Sequence, residues 1–549
     1  MKRQIWCITG IAFGLILLIC AVLVPAHFRG IDFKVIERAG IGTPSLVQSG
    51  VDLVKLEEIG AARMVRRAAR LLKIEGHDEL GVYVARAARL HVLPPRNADS
   101  LPSPISDILS LTNARPVIES LAGGEVRHRV IAALKTSSRP AVQEILKNLA
   151  LTNTTQFPPV NSSAGQPLET AIALAGLLVQ TESISSSFRD KLESLSKHAN
   201  GGGNVSLLET VYLDLFSLGK RLDWSQLTEL MRRIDTTTTL QSLAGSARAS
   251  GDRFPLLYAA AILLDRPQPL VAFVETFPES GLDDLAKALS LGRGSLMELM
   301  RHQKRIYSPS WREKMIGYDP FGAFFYLMLT PCRNTPGASL IFRCLLFLGG
   351  ASLLAFGVGS LAFTAPGEDP ASPDRSRLAQ TISLALSLFL VLFASWEPFI
   401  VSQASQKVEF PIRVRLPMVR PAAVSKLQTS IQPVMTTATL TSLIVFFVLQ
   451  ALIYIWCLAK ISEIRRQTVE PRLKLRLLDN EEHLFDAGLY LGFVGTIISL
   501  ILVSMGIVKP SIMAAYSSTS FGIIFVSILK IFHLRPLRRQ LIMESEVQP

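Results

Sequence analysis

A chain of 549 residues that is 49% hydrophobic and only 18% charged is too long and too apolar for one ordinary soluble domain. Its formal charge of +13 would suit nucleic acid, but the basic residues gather beside apolar segments: Lys460, Arg465, Arg466, Arg472, Lys474 and Arg476 before one, Lys530, Arg535, Arg538 and Arg539 after another. No basic groove rich in aromatic residues accompanies them, which argues against nucleic acid as a partner. Basic residues so placed are topology signals that also draw the anionic headgroups of membrane lipids.

Taken in chain order, Ile5–Val24 comes first, behind Lys2-Arg3, with the roughly 20 apolar residues a helix needs to cross a bilayer. It exceeds the usual apolar region of a signal peptide and shows no clear cleavage site before His27, so residues 1–30 read as an uncleaved transmembrane anchor. Leu17-Leu18-Ile19-Cys20 has the outline of a lipoprotein cleavage box, but the bulky Ile19 favours a packed thiol. Of the five cysteines, Cys7, Cys20, Cys344 and Cys457 lie in apolar segments and only Cys332 lies outside them, so no disulfide framework is expected.

From Val51 to about Tyr307 the pattern is helical. Leu53, Ile59, Val65 and Leu72 fall at helical spacings beside Arg63, Arg66, Arg67 and Arg70. That stripe fits a solvated helix face, with an acidic partner or lipid headgroups as the sharper alternative. Pro94-Pro95 ends the next helical run, and further candidates cover 125–151, 166–181, 186–198, 205–219, 224–235, 255–265, 279–291 and 294–305. Short helices with polar breaks suggest an α-solenoid or an irregular helical bundle, without a fixed repeat period. Residues 153–167, rich in Pro, Ser, Thr and Asn, read as a linker between helical subdomains at 31–152 and 168–338, and Gly201-Gly202-Gly203 as a loop within the second. Asn153, Asn161 and Asn204 begin glycosylation-type triplets that matter only in a host that glycosylates.

No phosphate-binding loop, nucleophile elbow, zinc-protease motif or His/Cys pair at metal-ligand spacing occurs, so the reading assigns no catalytic residue, no cofactor and no metal.

The apolar segments resume at 340–363, 380–401, 436–459, 485–508 and 511–533, forming a C-terminal membrane domain over 339–549. Phe321–Thr330 is apolar but too short to span, and is expected at the interface or packed beneath the large domain. With both termini cytoplasmic, the inner segments hold two, two, six and four Lys or Arg (tail, 364–379, 460–484 and 530–549). The outer loops hold five in 402–435 and one, Lys509. The count favours that orientation and puts 31–338 outside. The loop with Lys407, Arg413, Arg415, Arg420 and Lys426 dissents. Glu397, near the outer end of the 380–401 segment, reads as an interfacial carboxylate beside Trp396 or, more sharply, as part of a polar path paired with a base from 402–435.

The last two segments carry the most specific pattern. Gly488, Gly492 and Thr496 recur every four residues, with Gly495 adjacent, and Ala514, Ser518 and Gly522 do the same on the other side of a Lys509-Pro510 connector. Small residues so spaced form a flat ridge that lets helices approach closely in lipid. Leu491–Ile501 (LGFVGTIISLI) and Ala514–Val526 (AAYSSTSFGIIFV) resemble the two channel helices of the MotA/TolQ/ExbB proton-channel family. The likeness covers fewer than fifty residues, the family's long cytoplasmic insertion is missing, Ser518 stands where the family has Thr, and neither helix has a central acidic residue. By that resemblance Thr496 and Thr519 would be pore-lining hydroxyls, with Gly495 and Gly522 as packing glycines.

The expected protein is therefore all-α, a polytopic membrane protein of about six transmembrane helices with a large, solenoid-like helical domain outside. Its expected role is non-enzymatic: the outer domain binds or senses a protein partner, and the membrane domain anchors or assembles a complex, with a homo-oligomer as a further option. The alternative is an ion-conducting, energy-transducing subunit, and a membrane enzyme acting on lipid or envelope polymer comes third.

Overall fold

The computed structural model describes residues 2–90, 115–278, 280–362, 375–399, 437–467, 469–504 and 512–547. The protein is all-α; among the described residues the only strands are Gly30–Asp32 and Arg305–Tyr307. Among the described residues, four helical stretches are long and apolar enough to cross a membrane: Trp6–Leu23, Pro336–Val358, Phe446–Arg466 and Ser518–Glu546. They suggest a multi-pass membrane protein. Thr381–Trp396 and Ala487–Ile497 are apolar but shorter. Contacts gather the chain into two units, 1–35 with 307–549, and 36–306.

In the first unit, α1 (Lys2–Leu23), α2 (Phe321–Asn334), α3 (Pro336–Ala362), α4 (Arg375–Trp396), α5 (Thr437–Arg466), α6 (Ala487–Ser504) and α7 (Ile512–Ile528) pack side by side. Helix α1 lies on α3, α3 on α4, α4 on α5, and α5 on α7, which pairs with α6. The α1–α3 crossing is close because glycine faces glycine: a Cβ on Gly14 would sit 3.0 Å from the Gly350 carbonyl oxygen, and one on Gly350 2.9 Å from that of Gly14. Helix α2 is a partly buried helix of the membrane unit: Phe325, Leu329 and Cys332 are buried at helical spacing, and it contacts α1 and α3.

Past α7 the helix continues through a π turn, Leu529–Leu534, into Arg535–Val547. The widening falls just before Pro536, which has no N–H for the preceding turn and crowds its carbonyl. Leu529, Leu534, Leu537 and Leu541 then pack with Cys457, Ile461 and Ile464 of α5 and with Leu478 and Phe485 in a small apolar core. Lys530 pairs with Asp486 at 2.8 Å.

In the 36–306 unit, helices distant in sequence pack together: Ile59–Leu71 touches both Trp224–Met231 and Phe254–Leu263. Gln166–Gln180 and Phe254–Leu263 are buried nearly all round, as their apolar composition requires. The run expected over 125–151 is broken by Pro140 into Gly124–Lys135 and Pro140–Lys147. Thr237–Ser250 is a helix the sequence hides behind four threonines; the Thr236 side chain caps it at the Thr239 N–H.

The stretch read as a linker, 153–167, lies inside this unit. Glu209, 1% exposed, accepts hydrogen bonds from the Thr155, Gln156 and Phe157 amides at 2.9, 3.0 and 3.3 Å and from the Thr155 hydroxyl at 2.9 Å. A buried carboxylate thereby fastens a segment with little apolar surface of its own. Glu229 accepts from the Gly60 and Ala61 amides at the start of Ile59–Leu71. Burial pushes its carboxyl up to about 8 despite those two donors.

Candidate functional site

Helix α1 ends at Leu23, leaving carbonyls of its last turn without intrahelical partners. Two arginines from distant parts of the same unit take them. Arg343 Nε donates to Ala21 O at 3.0 Å and Nη1 to Ala26 O at 2.8 Å. Arg312 Nη2 donates to Val22 O and, at 3.1 Å, to Val24 O. Cations at a helix C-terminus also meet the negative end of its dipole.

Each guanidinium is paired with a carboxylate: Arg312 with Asp32, and Arg343 with Glu397. Arg343 Nη2 also donates to Trp396 O at 3.0 Å, and the Phe28 amide donates to Glu397 Oε2 at 2.7 Å. His27 stands between the arginines, with Nδ1 2.8 Å from Arg343 Nη1 and Nε2 3.1 Å from Arg312 Nη1. A neutral imidazole has one in-plane lone pair. Both arginines can only donate, so that lone pair accepts from one of them, and the ring's proton sits on the other nitrogen; Asp32 Oδ2 lies 3.8 Å from Nε2. The His27 ring meets Tyr307 edge-on at 4.9 Å, and Arg312 lies 5.4 Å from the Phe325 ring centre.

All five polar residues are at most 4% exposed. Burial, joined by the Arg343 and Arg312 charges, pulls His27 down to about 3, so its ring is neutral. Burial alone would raise Asp32, but the His27 contact and Arg312 prevail and hold it below the usual carboxylate range. Two arginines, two carboxylates and a neutral histidine make a cluster without net charge. That is the condition under which buried ions persist, and removing one partner strands the other.

Among the described residues Glu397 is paired with Arg343; the basic stretch 402–435 lies outside those residues. The readable signal was Arg343 itself, a lone charge inside an apolar segment. His27, Asp32 and Arg312 offered no local pattern.

At the α6–α7 pair, a Cβ on Gly492 would lie 2.8 Å from Ser518 O, one on Gly522 2.6 Å from Gly488 O, and one on Gly495 2.7 Å from Ser518 Oγ. The backbones run that close because these positions have no side chain. Thr496 and Thr519 meet hydroxyl to hydroxyl, with Gly492 O within reach of each at 3.0 and 3.2 Å; each hydroxyl has one proton, so when one donates to the other only its neighbour's proton is left for Gly492 O. A third helix joins them: Gln450 Nε2 on α5 donates to Gly488 O at 3.0 Å. Ala514 lies in α7 with its side chain outside the described residues, as does the Lys509-Pro510 connector. Among the described residues no group of three or more His, Cys, Asp and Glu could hold a metal ion.

Comparison with known proteins finds no matching family model, no matching curated protein and no matching solved structure. The reading of function therefore rests on this geometry and on the sequence.

Proposed function

We propose that the chain is a multi-pass membrane protein with six spans and both termini cytoplasmic, whose outer helical domain captures a protein partner while the membrane unit anchors or assembles the complex, without catalysis. One observation carries this reading. The two covalent connections of the 36–306 unit to the rest of the chain lie beside Asp32 and Tyr307, and both belong to the buried cluster of His27, Arg312, Arg343 and Glu397. A domain tethered only for proximity needs a flexible linker. A cluster of buried ion pairs at both attachments suits a domain whose binding event must be felt by the helices. The two shorter apolar helices, Thr381–Trp396 and Ala487–Ile497, supply the fifth and sixth spans. Photo-crosslinking from exposed positions such as Val82 and Leu207 of the full chain tests the reading. It predicts one reproducible crosslinked protein; failure to recover any would count against it.

The contact between Thr496 and Thr519 favours a second reading, an ion-conducting subunit similar to the MotA/TolQ/ExbB channels. In that case Thr496→Val or Thr519→Val abolishes function at unchanged protein level. Full activity of both variants removes the channel reading and leaves the hydroxyl pair as helix packing.

A further inference from the structure

Gln450 lies on α5, 1% exposed, in a segment taken above to cross the membrane. Only an amide nitrogen can donate to a carbonyl, so the bond to Gly488 O fixes which way the side chain faces. Oε1 is turned away from that bond and accepts no hydrogen bond from any described residue. A buried acceptor left so bears its full desolvation penalty, which membrane helices ordinarily relieve with a neighbouring group or an ordered water.

The structure supplies room for the second solution. Gln450 borders a cavity formed by α5, the start of α6 and the end of α7, with Tyr454 and Cys457 on the same wall. It gives about 10 Å³ to the centre of a water molecule, about what one water requires. Gly488 also lines it, and a Cβ there would lie 2.9 Å from Gln450 Oε1 and 3.2 Å from Val526 Cγ2. Any larger residue would crowd the space beside the amide.

We propose that this cavity is a hydration site, holding a single water that donates to Gln450 Oε1, and that Gly488 is a glycine to leave room for it. Tyr454 and Cys457, which follow Gln450 by four and seven residues on the same face of α5, also line the cavity. Tyr454 in turn contacts His533 Nε2 at 2.9 Å, and Cys457 donates to Leu484 O at 3.5 Å. The site depends on three packed helices and not on conduction, so it stands or falls separately from the channel reading.

The test is a structure of the full chain in lipid nanodiscs at a resolution that shows ordered water, with unfolding midpoints of two variants. The expected result is a peak at hydrogen-bond distance from Gln450 Oε1, with Nε2 still on Gly488 O. An empty cavity, or a Gln450 turned away from Gly488, overturns the proposal. Gln450→Met, apolar and similar in length, is expected to lose the peak and several degrees of midpoint. Gln450→Glu restores both, because a protonated carboxyl can donate to Gly488 O and accept from the water. A Met variant that melts with the parent protein, or keeps the peak, also overturns it.

Discussion

Removing Arg343 tests the buried cluster where it is most exposed to failure. Arg343→Met keeps much of the side chain's bulk but takes away every donor. Glu397, whose side chain is 0% exposed against 1% for Arg343, is then a stranded buried carboxylate. The Ala21, Ala26 and Trp396 carbonyls lose their guanidinium partner as well. Breaking a buried pair from one side costs roughly 3–5 kcal/mol. Glu397→Gln is milder: Arg343 keeps three carbonyls and His27, so the loss is about 1–3 kcal/mol. Because the two side chains touch, the double variant should fall short of the summed single losses by roughly 0.5–3 kcal/mol. The assay is hydrogen exchange of the full chain, read at the Phe28 amide, which donates to Glu397 Oε2. Exchange in Arg343→Met at the parent rate, or strictly additive single effects, would refute the argument that the pair is buried and coupled.

The other consequences are as direct. Gly522→Ile places a branched side chain where a Cβ alone would be 2.6 Å from Gly488 O, so folded yield should collapse, whereas Gly10→Ala, with nothing within 4 Å, should be silent in the same thermal melt. Glu209→Ala should cost roughly 1.5–3 kcal/mol and speed protease cleavage within 153–167, because the coil loses its buried acceptor. Glu229 has a folded-state value of about 8 against an ordinary 4.5, so the folded state holds its proton more tightly than the unfolded state. Its contribution is therefore full below about 4.5 and lost as pH rises through about 8. Exchange of the Ile59–Leu71 amides should quicken across that window, and Glu229→Gln should flatten the dependence.

What the sequence makes legible here is what repeats locally. The four-residue spacing of Gly488, Gly492 and Thr496 announces a close helix contact before any coordinates do, because small side chains act through distance alone. Helix periodicity likewise marks most of the 36–306 helices. The Thr237–Ser250 helix escapes notice because its first turn is a run of residues with weak helix preference, rescued by a cap. The cluster around His27 is illegible for a different reason. Its pairs join residues 54, 280 and 316 apart, and no spacing rule reaches that far. Glu397 can be singled out from one sequence, but its partner follows only from helices α1, α3 and α4 meeting at one end. The coil at 153–167 has a linker's composition, and a single glutamate fifty residues later holds it in place.

The most direct test of the central claim is the side of the membrane on which the 36–306 unit lies. Single cysteines at the exposed positions Ser186 and Arg476 can be placed in a cysteine-free background and probed with an impermeant maleimide in intact cells that express the full chain. The account predicts labelling of Ser186→Cys in intact cells and of Arg476→Cys only after permeabilisation. The opposite pattern, or equal labelling before permeabilisation, would contradict it.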